Sequence, residues 1–152
     1  MTEAADPYHL ARFLEAQAPC YARVLEELAA GEKTSHWMWF IFPQLRGLGV
    51  SSTARRFGLT GLEEARAYLA HPLLGSRLHE CTRLVLAVEG RTAYEIFGSP
   101  DDLKLRSCLT LFAQAAAPSP APENRVFGEA LARYYGGEPD PRPLELLISS
   151  AS

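Results

Sequence analysis

Helix start signals recur at short intervals along this 152-residue chain, and that recurrence constrains its fold more than any other feature. The clearest is Ser99-Pro100-Asp101-Asp102: a capping hydroxyl, a proline whose fixed φ suits a first turn, and two carboxylates against the positive end of the helix dipole. It opens LKLRSCLTLFAQAAA. Asp6-Pro7 opens PYHLARFLEAQ in the same way, with Leu10, Phe13, Leu14 and Gln17 at i, i+3, i+4 and i+7, and Asp140-Pro141 repeats the device before PRPLELLIS. Thr60 with Glu63, and Thr92 with Glu95, have the spacing of a capping box. His71-Pro72 starts PLLGSRLHECTRLVLAV, while Gly31, Gly90 and Gly98 stand where helices stop. YARVLEELAAG puts Tyr21, Val24, Leu25 and Leu28 on one face, and ENRVFGEALARYY has helical spacing too. The pattern predicts an all-α chain of about eight to ten short helices. Residues 1–152 read as a single domain, with the Pro-rich APSPAP, 117–122, as a surface loop within it.

One stretch resists that reading. WMWFIF, Trp37 to Phe42, has strand composition by propensity, and its length does not arbitrate. A strand needs partners. The other apolar run, LVLAVEG, continues a helical pattern carried by Leu78, Leu84, Val85 and Val88, so helix is the better reading for both.

At 47% hydrophobic and 22% charged residues the chain has enough apolar mass for a core of its own. A net charge of −3 argues against a dedicated nucleic-acid binder. Three separated cysteines, Cys20, Cys81 and Cys108, no CxxC and no secretory h-region point to a reduced, cytoplasmic protein, and the longest apolar run is too short to span a bilayer. No metal site is expected: on a straight helix His71 and His79 lie about two turns apart. Nor does HExxH, GxSxG or a carboxylate cluster occur, and no cofactor is implied.

Three constellations can carry chemistry. The first is SHWMWFIFPQ, where Lys33, Ser35 and His36 precede the aromatic run and Gln44 and Arg46 follow it. An apolar wall edged by polar groups suits a small-molecule pocket, with Trp37 and Trp39 as stacking faces and His36 as the proton-transfer group. Equally, clustered aromatics are the usual material of a core. The second is GLGVSSTARR, in which glycines, a capping Ser51 or Ser52 and the guanidiniums of Arg55 and Arg56 suggest a phosphate cradle at a helix start; the plainer reading is a capped loop with solvated arginines. The third is the face of the Ser99 helix shared by Asp101, Lys104 and Ser107, with Asp102 at its mouth, which either lines a cleft or meets water.

The blocks RFLEAQ (from Arg12), KTSHWMWFIFPQ (from Lys33), AYLAHPLLGSRL (from Ala67) and FGSPDDLKLRSCLTLF (from Phe97), taken in order, resemble the bacterial domain-of-unknown-function 1810 family over nearly the whole chain. The resemblance implies a mainly helical single domain and favours helix for WMWFIF. It implies no activity, and the calpastatin label that some members carry finds no inhibitory repeat here. Two functions stay open. One is a pocket for an anionic, nucleotide-like or ADP-ribose-like ligand, in which a ring stacks on Trp37 or Trp39, Gln44 and Ser107 add polar contacts, and Arg55, Arg56 or Lys104 meets phosphate. His36 or Asp102 would there act as base in a cofactor-free hydrolysis. By analogy alone, small helical domains with Trp, Gln and Lys-Asp sets occur among ADP-ribose-processing proteins. The other is a non-catalytic protein-interaction module with the aromatic block as core.

Overall fold

A computed structural model of the chain describes residues 6–117 and 121–151, with side chains up to residue 147. Among the described residues ten α-helices follow one another without a strand: α1 (Ala11–Gln17), α2 (Tyr21–Ala30), α3 (Met38–Ile41), α4 (Ser52–Phe57), α5 (Leu62–Ala70), α6 (Leu74–Ala87), α7 (Ala93–Phe97), α8 (Asp101–Ala116), α9 (Arg125–Tyr135) and α10 (Pro141–Ala151). A 3-10 turn, Pro122–Asn124, precedes α9. The chain is all-α, as its punctuation predicts. Of the Pro-rich loop expected over 117–122, residues 118–120 lie outside the described residues. Among the described residues no helix is long and apolar enough to cross a membrane.

The caps show how closely sequence signals translate. Thr92 and Glu95 form the expected capping box at α7, each side chain bonded to the other's backbone N–H (3.1 and 2.9 Å). The box expected of Thr60 and Glu63 is displaced by one residue, because Glu64 Oε1 takes both the N–H and the hydroxyl of Thr60 (2.9 Å each). Asp6 does cap, but onto Leu10 and Ala11 (2.7 and 3.0 Å), so α1 begins four residues later than Pro7 suggests. His71 Nδ1 accepts from Leu73 and Leu74 (3.1 and 3.2 Å), which starts α6 beyond Pro72. At α8 Pro100 itself takes the cap position and Ser99 makes no capping bond.

The helices share one core. α8 is its axis: Leu105, Cys108, Leu109, Leu111 and Phe112 are buried, and α5, α7, α9 and α10 all pack on it. α8 reads less amphipathic than α2 or α9 because its buried side carries polar residues as well, Ser107 and Thr110 among the leucines. Aromatic contacts run through this core from Phe13 to Tyr68 (5.0 Å, edge-on), Tyr68 to Phe112 (5.6 Å) and Phe112 to Phe127 (5.8 Å). The WMWFIF stretch is neither strand nor long helix. It makes the single turn α3, with Met38, Ile41 and Phe42 in the core and Trp37 buried at its cap.

The segment between α3 and α5 is closed on itself by backbone pairing. Arg46 N donates to Leu59 O (2.7 Å) and Leu59 N to Gln44 O (2.8 Å), an isolated parallel bridge that makes residues 45–59 a loop carrying α4. That loop presents α4 between two surface depressions.

Candidate functional site

Glu27 organises the first of them. This buried carboxylate on α2 accepts from Thr34 N (2.8 Å), Ser35 N (3.0 Å), Ser35 Oγ (2.5 Å) and the indole N–H of Trp37 (3.0 Å). Burial alone raises a carboxyl pKa; here the four hydrogen bonds outweigh it and hold Glu27 down at about 2. The segment 34–37 is thereby pinned to α2, with Trp37 turned inward and Lys33 and His36 left at its edges.

Next to it opens a cleft of about 460 Å³ between this segment, α4 and the start of α8. Asp101 stands at its centre of charge. One carboxylate oxygen meets Lys33 Nζ at 2.8 Å and the other meets Lys104 Nζ at 3.0 Å. Burial pushes the Asp101 carboxyl up, but the two ammonium groups prevail and hold it below the usual carboxylate range. Each ammonium also rides on an indole: Lys33 lies 4.9 Å from the ring centre of Trp37, and Lys104 lies 4.8 Å from that of Trp39. Lys33 donates besides to Ser35 O (2.6 Å), and its side chain is only 6% exposed. Two cations against one anion leave a surplus positive charge in a half-buried place. Phe40, Phe57 and Met38 supply apolar wall, Ser51 and Thr53 bring hydroxyls from the opposite side, and His36 sits exposed at the rim.

A sequence family described as protein of unknown function, DUF1810, matches residues 7–147 of this chain. The chain belongs to the DUF1810 family. Its fold is similar to the crystal structure, at 1.38 Å, of the conserved hypothetical protein Rv1873 from Mycobacterium tuberculosis: TM-score 0.89 and 59% identity, over 94% of this chain and 99% of that one. No curated protein matches it.

In this DUF1810 domain the expected site residues divide. His36, Trp37, Trp39 and Lys104 come together in the cleft. Trp37, however, is buried, with Lys33 over its ring and Phe42 and Phe97 beside it, so it offers a ligand no open stacking face; Trp39 is only half-buried. Gln44 lies inside the core, its side-chain nitrogen without a hydrogen-bond partner, and does not line the cleft. Ser107 is buried as well, donating to Asp140 Oδ2 (2.5 Å) and so tying α8 to α10. Asp102 points elsewhere than its neighbour: Asp101 lines the cleft, whereas Asp102 has a buried, unpartnered Oδ1 and a backbone carbonyl that accepts from Tyr135 (2.5 Å). Arg55 and Arg56 fall in the last turn of α4, not its first, and face a different groove.

Sequence reasoning missed Glu27 altogether. It also placed Lys33 and Asp101 only as neighbours of better candidates. The spacing of Asp101 and Lys104 was the available signal; nothing local marks Lys33 as the third member. Among the described residues no group of three or more His, Cys, Asp or Glu is arranged to hold a metal ion.

Proposed function

We propose that the cleft over Trp39 binds a small anionic ligand of nucleotide-like or ADP-ribose-like kind. The observation that carries this reading is the pair of lysines bridged by Asp101 and seated on two indoles, because it concentrates an unneutralised cation against an apolar wall. A ligand phosphate or carboxylate fits beside Lys104, the more exposed of the two, with its apolar or planar part along Trp39, Phe40 and Phe57. Ser51 and Thr53 are in reach of ribose-like hydroxyls at the far side.

If the bound ligand is also hydrolysed, His36 is the general base, since Asp101 is held ionised by two ammonium groups and is correspondingly weak as a proton acceptor. The reading of this domain as an interaction module draws support from Ile41 and Phe42 being core. It gives no account of a buried lysine aimed into a cleft.

A thermal-shift screen against nucleotides, ADP-ribose derivatives and sugar phosphates tests the proposal. A ligand at a hundred times its Kd adds about 2.7 kcal/mol and raises the midpoint by about 5–10 °C for a chain of this size. The expected hit disappears in Lys104→Ala and survives in His36→Ala. A hit indifferent to Lys104→Ala takes the ligand out of this cleft, and a panel without a hit moves the case to the interaction module.

A further inference from the structure

We propose that the groove on the other side of α4 is a second, separate anion site, built for a small ligand carrying two linked phosphoryl groups. This groove, about 520 Å³, runs between residues 7–9 and the loop 46–60. Its floor is Arg12. The Arg12 side chain donates from Nε to Arg56 O (2.6 Å), from Nη1 to Tyr8 O (2.5 Å) and His9 O (2.9 Å), and from Nη2 to Gly58 O (3.3 Å) and Glu64 Oε2 (3.0 Å). A guanidinium has five N–H donors, and all are spent. Arg12 therefore fastens the two walls together, while Glu64 balances its charge.

The walls carry the charge that remains. Arg46, Arg55 and Arg56 all line the groove, all are exposed, and among the described residues none has a carboxylate within ion-pair distance. Two of them are held in place by contacts that leave most of their donors free. Arg46 Nη2 donates to the carbonyl of Arg55 (3.2 Å), and the Arg56 guanidinium lies over the Phe57 ring at 5.2 Å. Three like charges gathered in one groove repel each other, in a chain whose net charge is −3. An anion between them removes that repulsion.

The type of anion follows from the donors. Guanidinium forks match phosphate oxygens in pairs, where lysines would act as point charges. A phosphoryl group carries about −1.5 to −2, so two of them balance three arginines. A nucleic-acid strand would also need flat aromatic faces for its bases. Here Phe57 is buried beneath Arg56, and among the described residues Tyr8 is the one tyrosine ring in the groove lining, short of the succession of flat faces that a strand of bases needs.

The test is a calorimetric titration with inorganic pyrophosphate at low salt. Wild type, Arg55→Ala/Arg56→Ala, Arg55→Glu and Lys104→Ala are compared, with free-state melting curves to show that each variant is folded. We expect one saturable site, weaker by at least about tenfold in both arginine variants and changed by less than about twofold in Lys104→Ala. Orthophosphate should bind less tightly than pyrophosphate. Unchanged affinity in the folded arginine variants overturns the proposal, and so does a loss confined to Lys104→Ala, which would put the anion in the aromatic cleft. Flotation with phosphatidylserine vesicles separates a lipid headgroup from a free ligand: vesicle capture through these arginines without saturable pyrophosphate binding overturns the small-ligand assignment.

Discussion

Removing the Glu27 carboxylate would strand four donors at once: two backbone N–H groups, a serine hydroxyl and the indole of a buried tryptophan. Because its pKa is depressed from 4.5 to about 2, Glu27 contributes stability that is fully present above pH 4.5 and is lost as pH falls toward 2. The size of that contribution is about 3 kcal/mol. Denaturant unfolding of wild type and Glu27→Gln across pH 2–7 checks it. The two stabilities should differ most near neutrality and converge in acid; a constant difference would assign the loss to packing. Exposed His36, by contrast, should tolerate alanine within about 0.5 kcal/mol. Residues such as Glu27 are hard to read from a sequence for a physical reason: most of its partners are backbone groups and a hydroxyl, which any residues could present, and no periodicity links α2 to the loop that it holds. Lys104 and Asp101 were legible because a helix fixes their spacing at i, i+3.

At the scale of elements, the stops and starts written in the chain translate well where the signal is local. They shift where a distant partner competes. The capping box at α7 forms as spaced because each side chain reaches the other's backbone N–H three residues away, whereas Glu64 and not Glu63 serves Thr60 because Glu64 is also the buried partner of Arg12. The helix favoured for WMWFIF does form, but only as the single turn α3, since its extent is set by burial of Met38, Ile41 and Phe42 and not by periodicity. Close helix approach was equally silent. A Cβ on Gly75 would sit 2.0 Å from the carbonyl oxygen of Leu69, so only glycine lets the start of α6 pass the end of α5. Gly75→Ala should therefore cost about 3 kcal/mol or more, read as a fall in the denaturant midpoint with an unchanged slope. A stability equal to wild type would mean that α5 and α6 can part at this point without loss.

Over the whole molecule, α4 is the divider. Ser51, Thr53 and Phe57 face the lysine cleft on one side, and Arg55 and Arg56 face the arginine groove on the other. A sequence pattern that joined His36, Trp39, Lys104 and both arginines in one site thus combined two surfaces, because α4 keeps Thr53 and Phe57, at i and i+4, on one face and turns Arg55 and Arg56 to another. The all-helical architecture was the most legible property, as capping and apolar spacing act over a few residues. The clefts were the least, as each draws on elements far apart in the chain.

Both tryptophans of the chain line the lysine cleft, which makes intrinsic fluorescence a direct reporter of it. The measurement that bears most directly on the account is a fluorescence titration with ADP-ribose in wild type, Lys33→Ala and Lys104→Ala. A ligand seated against Trp39 and Lys104 predicts a saturable change in wild type that is weakened by at least about tenfold in Lys104→Ala. A saturable change of equal affinity in Lys104→Ala, or ADP-ribose binding by calorimetry with the tryptophan signal unmoved, would contradict it.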